Sequence, residues 1–161
     1  MASPFAGFSK NFQTKYKIGA DKETLFPIGG GIKTAETDFD EDSDDVAYYD
    51  LNGGTESISS SQTFPFNFEG NRKYGDQAQD FVRSKMTSND KSCYLEVTEP
   101  DGSVLSGPAT MSKITPFGGD ANDRSDYKFT VTFTGTPTDT KATADETPVS
   151  NTTPDSSSAA K

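Results

Sequence analysis

The stretch of sequence that decides the fold is Tyr127-Lys128-Phe129-Thr130-Val131-Thr132-Phe133-Thr134. Its aromatic and β-branched apolar residues alternate with polar ones along the whole run. Successive side chains of a β-strand point to opposite faces of a sheet, so this alternation predicts a strand with one buried and one solvated face. Strands of this kind are typical of antiparallel sheets that pack one face on a core.

A second aromatic run lies upstream, in the segment Ser57–Phe68. Phe64, Phe66 and Phe68 alternate with residues that are not aromatic, which predicts another two-faced strand. Pro65 has no N–H to donate to a neighbouring strand, so we expect this strand at a sheet edge or at a bulge. We expect both aromatic faces to form the core of one subunit. The alternative is a contact between subunits.

Shorter segments predict further strands. Thr14–Ile18 follows an N-terminal arm, and Ser92–Thr98 is joined to Ser103–Leu105 by the tetrapeptide Glu99–Gly102. The proline and the final glycine of that tetrapeptide stand where a type I turn favours them, so we expect a hairpin. The three glycines Gly29–Gly31 predict a loop or a bulge, since the Gly-Lys-Ser/Thr sequence of a phosphate-binding loop is not present there.

One segment, at about residues 76–87, has the pattern of a helix. Asp76 can cap its first turn, and Gln79, three residues later, can complete a capping box. An apolar stripe runs from Ala78 to Met86 along one side. The predicted fold class is therefore mainly β, antiparallel, with one α-helix packed on the sheet.

Composition divides the chain into one domain and a tail. The sequence has 161 residues, which is room for a single domain of ordinary size. Residues 136–161 contain no aromatic residue and no Leu or Ile, so they cannot bury enough apolar surface to offset the entropy of ordering. We expect a β domain at 1–135 and a flexible polar tail at 136–161. No apolar run of about 18 residues occurs, so we expect no membrane anchor.

Charge is unevenly distributed along the chain, whose formal net charge is −10. Residues 1–33 contain five lysines and two acids, whereas residues 34–50 contain eight acids and no base. A basic section and an acidic section in one subunit favour association between copies of that subunit. The overall negative charge disfavours nucleic-acid binding through a basic patch. We expect residues 36–50 to form a long acidic loop between strands.

The acidic loop has the composition of a calcium site. Its candidate ligands stand at alternating positions and are Asp38, Asp40, Asp42 and Asp44. The spacing fails the EF-hand pattern, because Ser43 stands at the position of the invariant glycine and Tyr49 at that of the bidentate glutamate. A solvated acidic loop is favoured over a metal site, and we expect no cofactor.

A third hypothesis gives the acidic loop a role in assembly. Its carboxylates would dock against the lysine-bearing 1–33 section of another subunit, with Lys10, Lys15 and Lys17 as the partner surface. The acidic residues of this hypothesis are Asp38, Asp40, Glu41, Asp42, Asp44 and Asp45. A head-to-tail contact of this kind is what a ring or a stack requires. The competing placement is the lumen of a tube, where acidic side chains would keep DNA from sticking by like-charge repulsion.

The sequence offers little support for catalysis. It contains no histidine and a single cysteine, which removes the commonest general base and the usual partner of a nucleophilic thiol. Cys93 lies in a strand pattern, so we expect a buried structural thiol. Carboxylates are numerous, but no pattern places two of them across a pocket. We expect a protein that is not an enzyme, with a carboxylate-dependent hydrolase as an alternative.

Three segments resemble the major tail proteins of siphophages of Gram-positive hosts. They are Asp45–Asp50, Phe66–Phe81 and Phe117–Asn122, and the last of them leads into the strand quoted above. The central run contains Phe-x-Gly-x-Arg-x-Tyr-Gly-Asp-x-Ala-Gln-Asp and is the most specific part of the resemblance.

The central run also contains the remaining candidate site residues. They lie in the predicted helix and the turn before it and are Arg72, Tyr74, Asp76 and Phe81. For Arg72 and Tyr74 the alternatives are a contact between subunits and the packing of the turn and helix cap.

The resemblance implies a two-sheet β-sandwich with a flanking helix. It further implies that six copies form a ring, that neighbouring sheets join into one β-barrel around a lumen, and that rings stack on a tape-measure protein. DNA would pass through the lumen without specific binding. The protein would be made in the host bacterial cytoplasm and would reside in the tail of the virion. The alternative is a β-sandwich binding module or adhesin that uses the acidic loop, with or without calcium.

Overall fold

The structure, a computed structural model, describes residues 6–142. The strands in this part of the chain are β1 (Lys15–Gly19), β2 (Leu25–Ile28), β3 (Ile32–Thr37), β4 (Asp40–Ala47), β5 (Thr55–Thr63), β6 (Pro65–Asn71), β7 (Ser92–Thr98), β8 (Val104–Thr115), β9 (Asp126–Phe133) and β10 (Thr138–Thr140). One α-helix, α1 (Gln77–Ser84), lies between β6 and β7. Single turns of 3-10 helix occur at Asn11–Gln13 and Tyr49–Leu51.

Eight of the strands form one continuous antiparallel sheet. Its order is β2-β1-β7-β8-β9-β6-β3, and β10 pairs with β8. The sheet folds over on itself, because Tyr16 on β1 packs edge-on against Phe68 on β6 with ring centroids 5.1 Å apart, although three strands separate β1 from β6. The two layers of the predicted sandwich are therefore two parts of one curled sheet. The mainly β antiparallel fold with one flanking helix is confirmed for the described residues.

The longest strand, β8, carries the irregularity that helps the sheet to curl. It spans twelve residues, and its register with β9 shifts between Ser112 and Thr115. Lys113 inside this irregularity has a φ of 51°, a left-handed conformation that few non-glycine residues adopt. A bulge bends the strand that carries it. The sequence predicted Ser103–Leu105, which reaches only the first two residues of this strand; Gly107 and Pro108, of types that are rare in strands, hid its continuation.

The core is built from the aromatic faces that alternation identified. Phe68 stacks on Phe129, its cross-strand partner on β9, with ring centroids 5.0 Å apart. Phe64, at the link between β5 and β6, is half-buried and packs against the core. The expectation of an intramolecular core is confirmed for the buried set, which is Ile18, Phe66, Phe68, Ala78, Val82, Cys93, Leu95, Val97, Ala109, Met111, Tyr127, Phe129, Val131 and Phe133.

Helix α1 begins as predicted and ends earlier. The carboxylate of Asp76 accepts a hydrogen bond from the backbone N–H of Gln79 at 3.1 Å, which is the expected N-cap. The helix ends at Ser84 instead of 87, and the ammonium of Lys91 donates to backbone carbonyls just beyond it, those of Lys85, Met86 and Ser88. A cation satisfies these carbonyls, which the helix itself leaves without donors.

The predicted strand Ser57–Phe68 is two strands. β5 ends at Thr63 and β6 begins at Pro65, which is the first residue of a strand that lies between β9 and β3. The expectation of an edge or a bulge at Pro65 was wrong, because the first residue of an inner strand also tolerates a missing N–H.

The boundary of the polar tail lies beyond the predicted position. Thr138–Thr140 form β10, which pairs with Val104–Ser106 of β8. Backbone pairing with an existing strand gives order to residues that bring no apolar side chains. Residues 143–161 lie outside the described part of the chain. No helix in the described part is both long and apolar enough to cross a membrane.

Cys93 is expected to be unreactive in the folded protein. Its side chain is buried on β7, and burial raises the pKa of the thiol to about 12. Because the thiolate is the reactive form, a maleimide or disulfide reagent at pH 8 should label no thiol in the native protein and one thiol in denaturant. Rapid native labelling, followed by mass spectrometry, would contradict this.

Candidate assembly surface

The acidic section forms a β-hairpin instead of the predicted loop. Strand β4 covers most of it and pairs antiparallel with β5 from Asp40–Thr63 to Ala47–Thr55, while Glu36 and Thr37 belong to β3. The expectation of a loop at 36–50 was wrong because aspartate is rare in strands, whereas here a Ser- and Thr-rich partner strand supplies the pairing. We call residues 40–63 the acidic hairpin.

The acidic hairpin stands apart from the body of the subunit. Its two strands form a separate sheet, and every residue of β5 is exposed. β4 has eight residues, which at about 3.3 Å per residue gives a length of about 26 Å. An isolated two-stranded hairpin is at best marginally stable in water. The hairpin therefore lacks within its own chain the packing that would hold it.

The base of the acidic hairpin is anchored by one aromatic residue. Phe39 packs edge-on against Phe64 and Phe66, with ring centroids 5.2 and 5.3 Å away. Such edge-to-face pairs contribute about 1 kcal/mol beyond the area they bury. Sequence reasoning missed this anchor, although a single aromatic residue inside an acidic run was a usable signal.

The described part of the chain does not neutralise the charge of the acidic hairpin. Residues 34–71 contain no lysine or arginine, and none of the ion pairs between described residues involves the hairpin. Cross-strand partners of the acids are neutral, for example Ser61 opposite Asp42. Side-chain hydrogen bonds with Ser59 and Gln62 lower the pKa of Glu41. The acidic hairpin therefore attracts basic surfaces.

The tip of the acidic hairpin is apolar, in contrast to its strands. Tyr48, Tyr49 and Leu51 are exposed there, Tyr49 completely. The chain reverses at Asn52, in the left-handed conformation with φ 51°, and at Gly53 with φ 86°. Sequence reasoning did not identify this aromatic tip.

A cleft of about 800 Å³ lies between β1 and β2 on one side and β3 on the other. These strands include both edges of the curled sheet, so the cleft marks where the sheet fails to close. Three lysines and one acid line it, together with apolar and small residues; the lining set is Asn11, Phe12, Thr14, Lys15, Tyr16, Lys17, Pro27, Ile28, Gly29, Ile32, Lys33, Thr34, Ala35 and Glu36. We call it the lysine cleft.

The structure brings part of the predicted basic surface together. Lys15 and Lys17 line the lysine cleft, and Lys33 joins them from β3. Lys10 lies outside the lining, before the first 3-10 turn. Lys17 also lies 3.7 Å from Glu96. No residue of the acidic hairpin lines the cleft of its own chain.

The residues at the start of α1 form a second cluster, held inside the subunit. The guanidinium of Arg72, whose side chain is 4% exposed, lies 2.6 Å from the carboxylate of Asp80. It also lies 4.8 Å from the ring centre of Tyr74, which is 80% exposed. Phe81 packs against Phe26 with ring centroids 6.2 Å apart. A subunit contact through Tyr74 stays a prediction.

The centre of this second cluster is Gln79, which sequence reasoning placed in a capping box. Its side-chain amide instead donates to the carbonyls of Gly30 at 2.7 Å and Asn71 at 3.1 Å. Its side-chain carbonyl accepts from the N–H of Lys73 at 2.8 Å and from Arg72 at 3.2 Å. Gln79 is 2% exposed and joins the helix to the turn between β2 and β3.

The carboxylates do not converge on a metal site in the part of the chain that the structure describes. No group of three or more Cys, Asp or Glu side chains there has an arrangement that could hold an ion. In the acidic hairpin, alternation sends Asp40, Asp42 and Asp44 to one face and Glu41 and Asp45 to the other. The surface is suited to binding a basic partner along its length.

Comparisons with solved structures show the same fold in tail and tube assemblies. The chain superposes on the tail of an empty gene transfer agent particle, refined with C6 symmetry, with a TM-score of 0.67 and 17% identity over 84% of this chain and 100% of that one. For the native gene transfer agent virion the TM-score is 0.65, with 18% identity over 83% and 99%. For the cap that terminates the tube of the anti-feeding prophage it is 0.55, with 12% identity over 88% and 97%.

The sequence also matches a protein family directly. A comparison with curated proteins finds no significant match. The match to the family described as phage tail tube protein, however, extends over residues 9–139. It therefore includes the acidic hairpin, the lysine cleft and the cluster around Gln79. Since it covers most of the sequence, the chain belongs to the phage tail tube protein family.

Proposed function

We propose that this protein is a structural virion subunit that assembles with copies of itself into stacked rings, forming the tail tube of a long-tailed, non-contractile phage. The acidic hairpin carries this proposal, because its exposed strands form a separate sheet to which the described residues give little packing and no counter-charge. A neighbouring copy supplies both.

The ring is proposed to contain six copies. Support comes from the gene transfer agent tail, which has the same fold and was refined with C6 symmetry. The sheet of this chain also ends in two free edges, β2 and β3. Unpaired edges in natural proteins are usually covered, and neighbouring subunits would cover them by joining their sheets around a lumen.

The lumen is proposed to conduct DNA without binding it specifically. A net charge of −10 opposes retention of a polyanion on the wall. The tape-measure protein and other tail proteins are the further proposed partners. Synthesis in the host bacterial cytoplasm would precede incorporation into the virion.

A structural role is favoured over catalysis and over an adhesin. The absence of histidine from the sequence removes the commonest general base, and membership of the tail tube family favours assembly. We therefore propose that the protein is not an enzyme and that the acidic hairpin serves the contact between subunits. The competing placement of the hairpin is the lumen.

Electron microscopy of the purified protein tests this function. We expect hollow tubes or six-fold rings whose abundance rises with protein concentration. Static light scattering on the same samples should give masses that are multiples of the 17.3 kDa chain. Dispersed monomers at all concentrations, with melting that depends on calcium, would support the binding-module alternative instead.

A further inference from the structure

We infer that the lysine cleft of one copy receives the tip of the acidic hairpin of a second copy. The inference rests on the proposed function and deepens it, because it names the two surfaces that meet. Within one chain these surfaces do not touch: no hairpin residue lines the cleft.

The apolar parts of the two surfaces match in kind. Phe12 is 70% exposed at the cleft, and Tyr16 and Ile32 are half-buried in its wall. The hairpin tip offers Tyr49, which is completely exposed, and Leu51. A volume of about 800 Å³ lies within the range of about 300–1,000 Å³ that is typical of binding clefts. Docking would remove these apolar side chains from water on both sides.

The charges of the two surfaces are opposite. Lys15, Lys17 and Lys33 outnumber Glu36 in the cleft lining. The acids nearest the tip are Asp45, Asp50 and Glu56, and residues 34–71 contain no lysine or arginine. We therefore expect the apolar side chains of the tip to pack against the cleft wall, with the nearby carboxylates of the hairpin close to the lysines. Complementary charges of this kind select the register of an interface.

The geometry of the two surfaces favours open-ended growth. The hairpin is about 26 Å long at about 3.3 Å per residue, and its strands form a sheet separate from that of the body. Donor and receptor are different surfaces, and a contact between different surfaces builds a ring or a stack instead of a closed dimer. In an open stack, the copies at one end keep a free hairpin and the copies at the other end keep a free cleft.

Cross-linking between two introduced cysteines tests this contact. Ala47→Cys lies beside the tip and Thr34→Cys lies in the cleft, and both positions are exposed. Neither substitution removes a charge or a large apolar side chain. In assembled tubes, a short bismaleimide should link the double variant into a ladder of dimers, trimers and longer chains on a denaturing gel. Each single variant should give no ladder.

A matched pair controls for proximity within the tube. Ala47→Cys with Ser112→Cys places the second thiol at an exposed position of β8. Strands β9 and β6 lie between β8 and β3 in the sheet. This pair should give no ladder in the same tubes. Native Cys93 is buried and should not react with the cross-linker.

The outcomes separate the contact from the proposed function. Normal tubes without a ladder from the Ala47–Thr34 pair overturn the contact and leave the tail-tube function standing. A ladder from the Ser112 pair alone overturns it as well, and places the hairpin near the middle of a neighbouring sheet. Occupation of the cleft by residues 1–5 or 143–161 would appear as cross-links from Thr34→Cys to cysteines introduced there. An absence of tubes from the unmodified protein overturns both proposals.

Discussion

Tubes should fail to grow when Asp40, Asp42 and Asp44 are all replaced by lysine. The three side chains share one face of the acidic hairpin, and their substitution turns an acidic face into a basic one. Opposed lysines at an interface cost several kcal/mol, and every 1.4 kcal/mol changes an association constant about tenfold. We expect at least about a tenfold loss of pelletable tubes, measured by ultracentrifugation and electron microscopy.

The folded monomer should survive this triple reversal. All three residues are exposed on a hairpin that forms its own sheet, so circular dichroism and the melting temperature should change little. The matched control is the reversal of Glu23, Asp120 and Asp123, which are also exposed acids but lie on the body. It makes the same change in net charge and should leave tube growth largely intact.

A rescue experiment distinguishes a subunit contact from a lumen position. Changing Lys15, Lys17 and Lys33 to glutamate in the reversed variant should restore growth in part, because the lysine at position 44, the reversed residue nearest the tip, then faces an acidic cleft. If the hairpin instead lines the lumen, the reversed variant should form normal tubes that retain DNA. That result would remove the hairpin from the proposed contact.

The alternation of apolar and polar residues predicts those strands of this fold that have one face in the core and one face toward solvent. β9 lies with Tyr127 and Phe129 in the core and Lys128 toward solvent, so its sequence records its position. β4 has no such record, because its residues are almost all exposed and its partner strand is an equally exposed Ser-rich segment. A strand that is held only by backbone pairing, without a buried face, cannot be recognised from its hydrophobic pattern.

Contacts between distant parts of the chain explain the remaining errors. Gln79 matches the capping-box position, but its amide bonds Gly30, which is 49 residues away. β2 and β3 follow each other in sequence yet form opposite edges of the sheet. The lysine cleft exists only because of that arrangement, and the spacing of Lys15, Lys17 and Lys33 along the chain does not reveal it.

The second large effect is expected from Gln79→Leu. Leucine fills a similar volume but removes two donors and an acceptor from a buried position where, among the described residues, no buried polar side-chain atom lacks a partner. The carbonyls of Gly30 and Asn71 and the N–H of Lys73 would lose their bonds to this side chain. Each buried group left without a partner costs about 1–3 kcal/mol. We expect a loss of about 4 kcal/mol in the free energy of unfolding.

Gln77→Leu is the matched control for this substitution. Gln77 lies two residues earlier in the same helix and is exposed, so the same chemical change there should alter stability by no more than about 0.5 kcal/mol. Urea denaturation of both variants gives the comparison. A cost for Gln79→Leu no larger than that of the control would show that the buried network contributes little to the fold.

The same substitution should weaken assembly through the lysine cleft. Gln79 holds the carbonyl of Gly30, and the neighbouring Gly29 lines one end of the cleft. Gly31 follows with a φ of 76°, a conformation that glycine adopts readily, and its carbonyl accepts from the N–H of Asn71 at 2.8 Å, so Gln79 and Asn71 hold this turn together. Gln79→Leu should therefore lower tube yield even at temperatures where the monomer stays folded, whereas Gln77→Leu should not. Equal tube yields from the two variants would mean that the turn is held without Gln79.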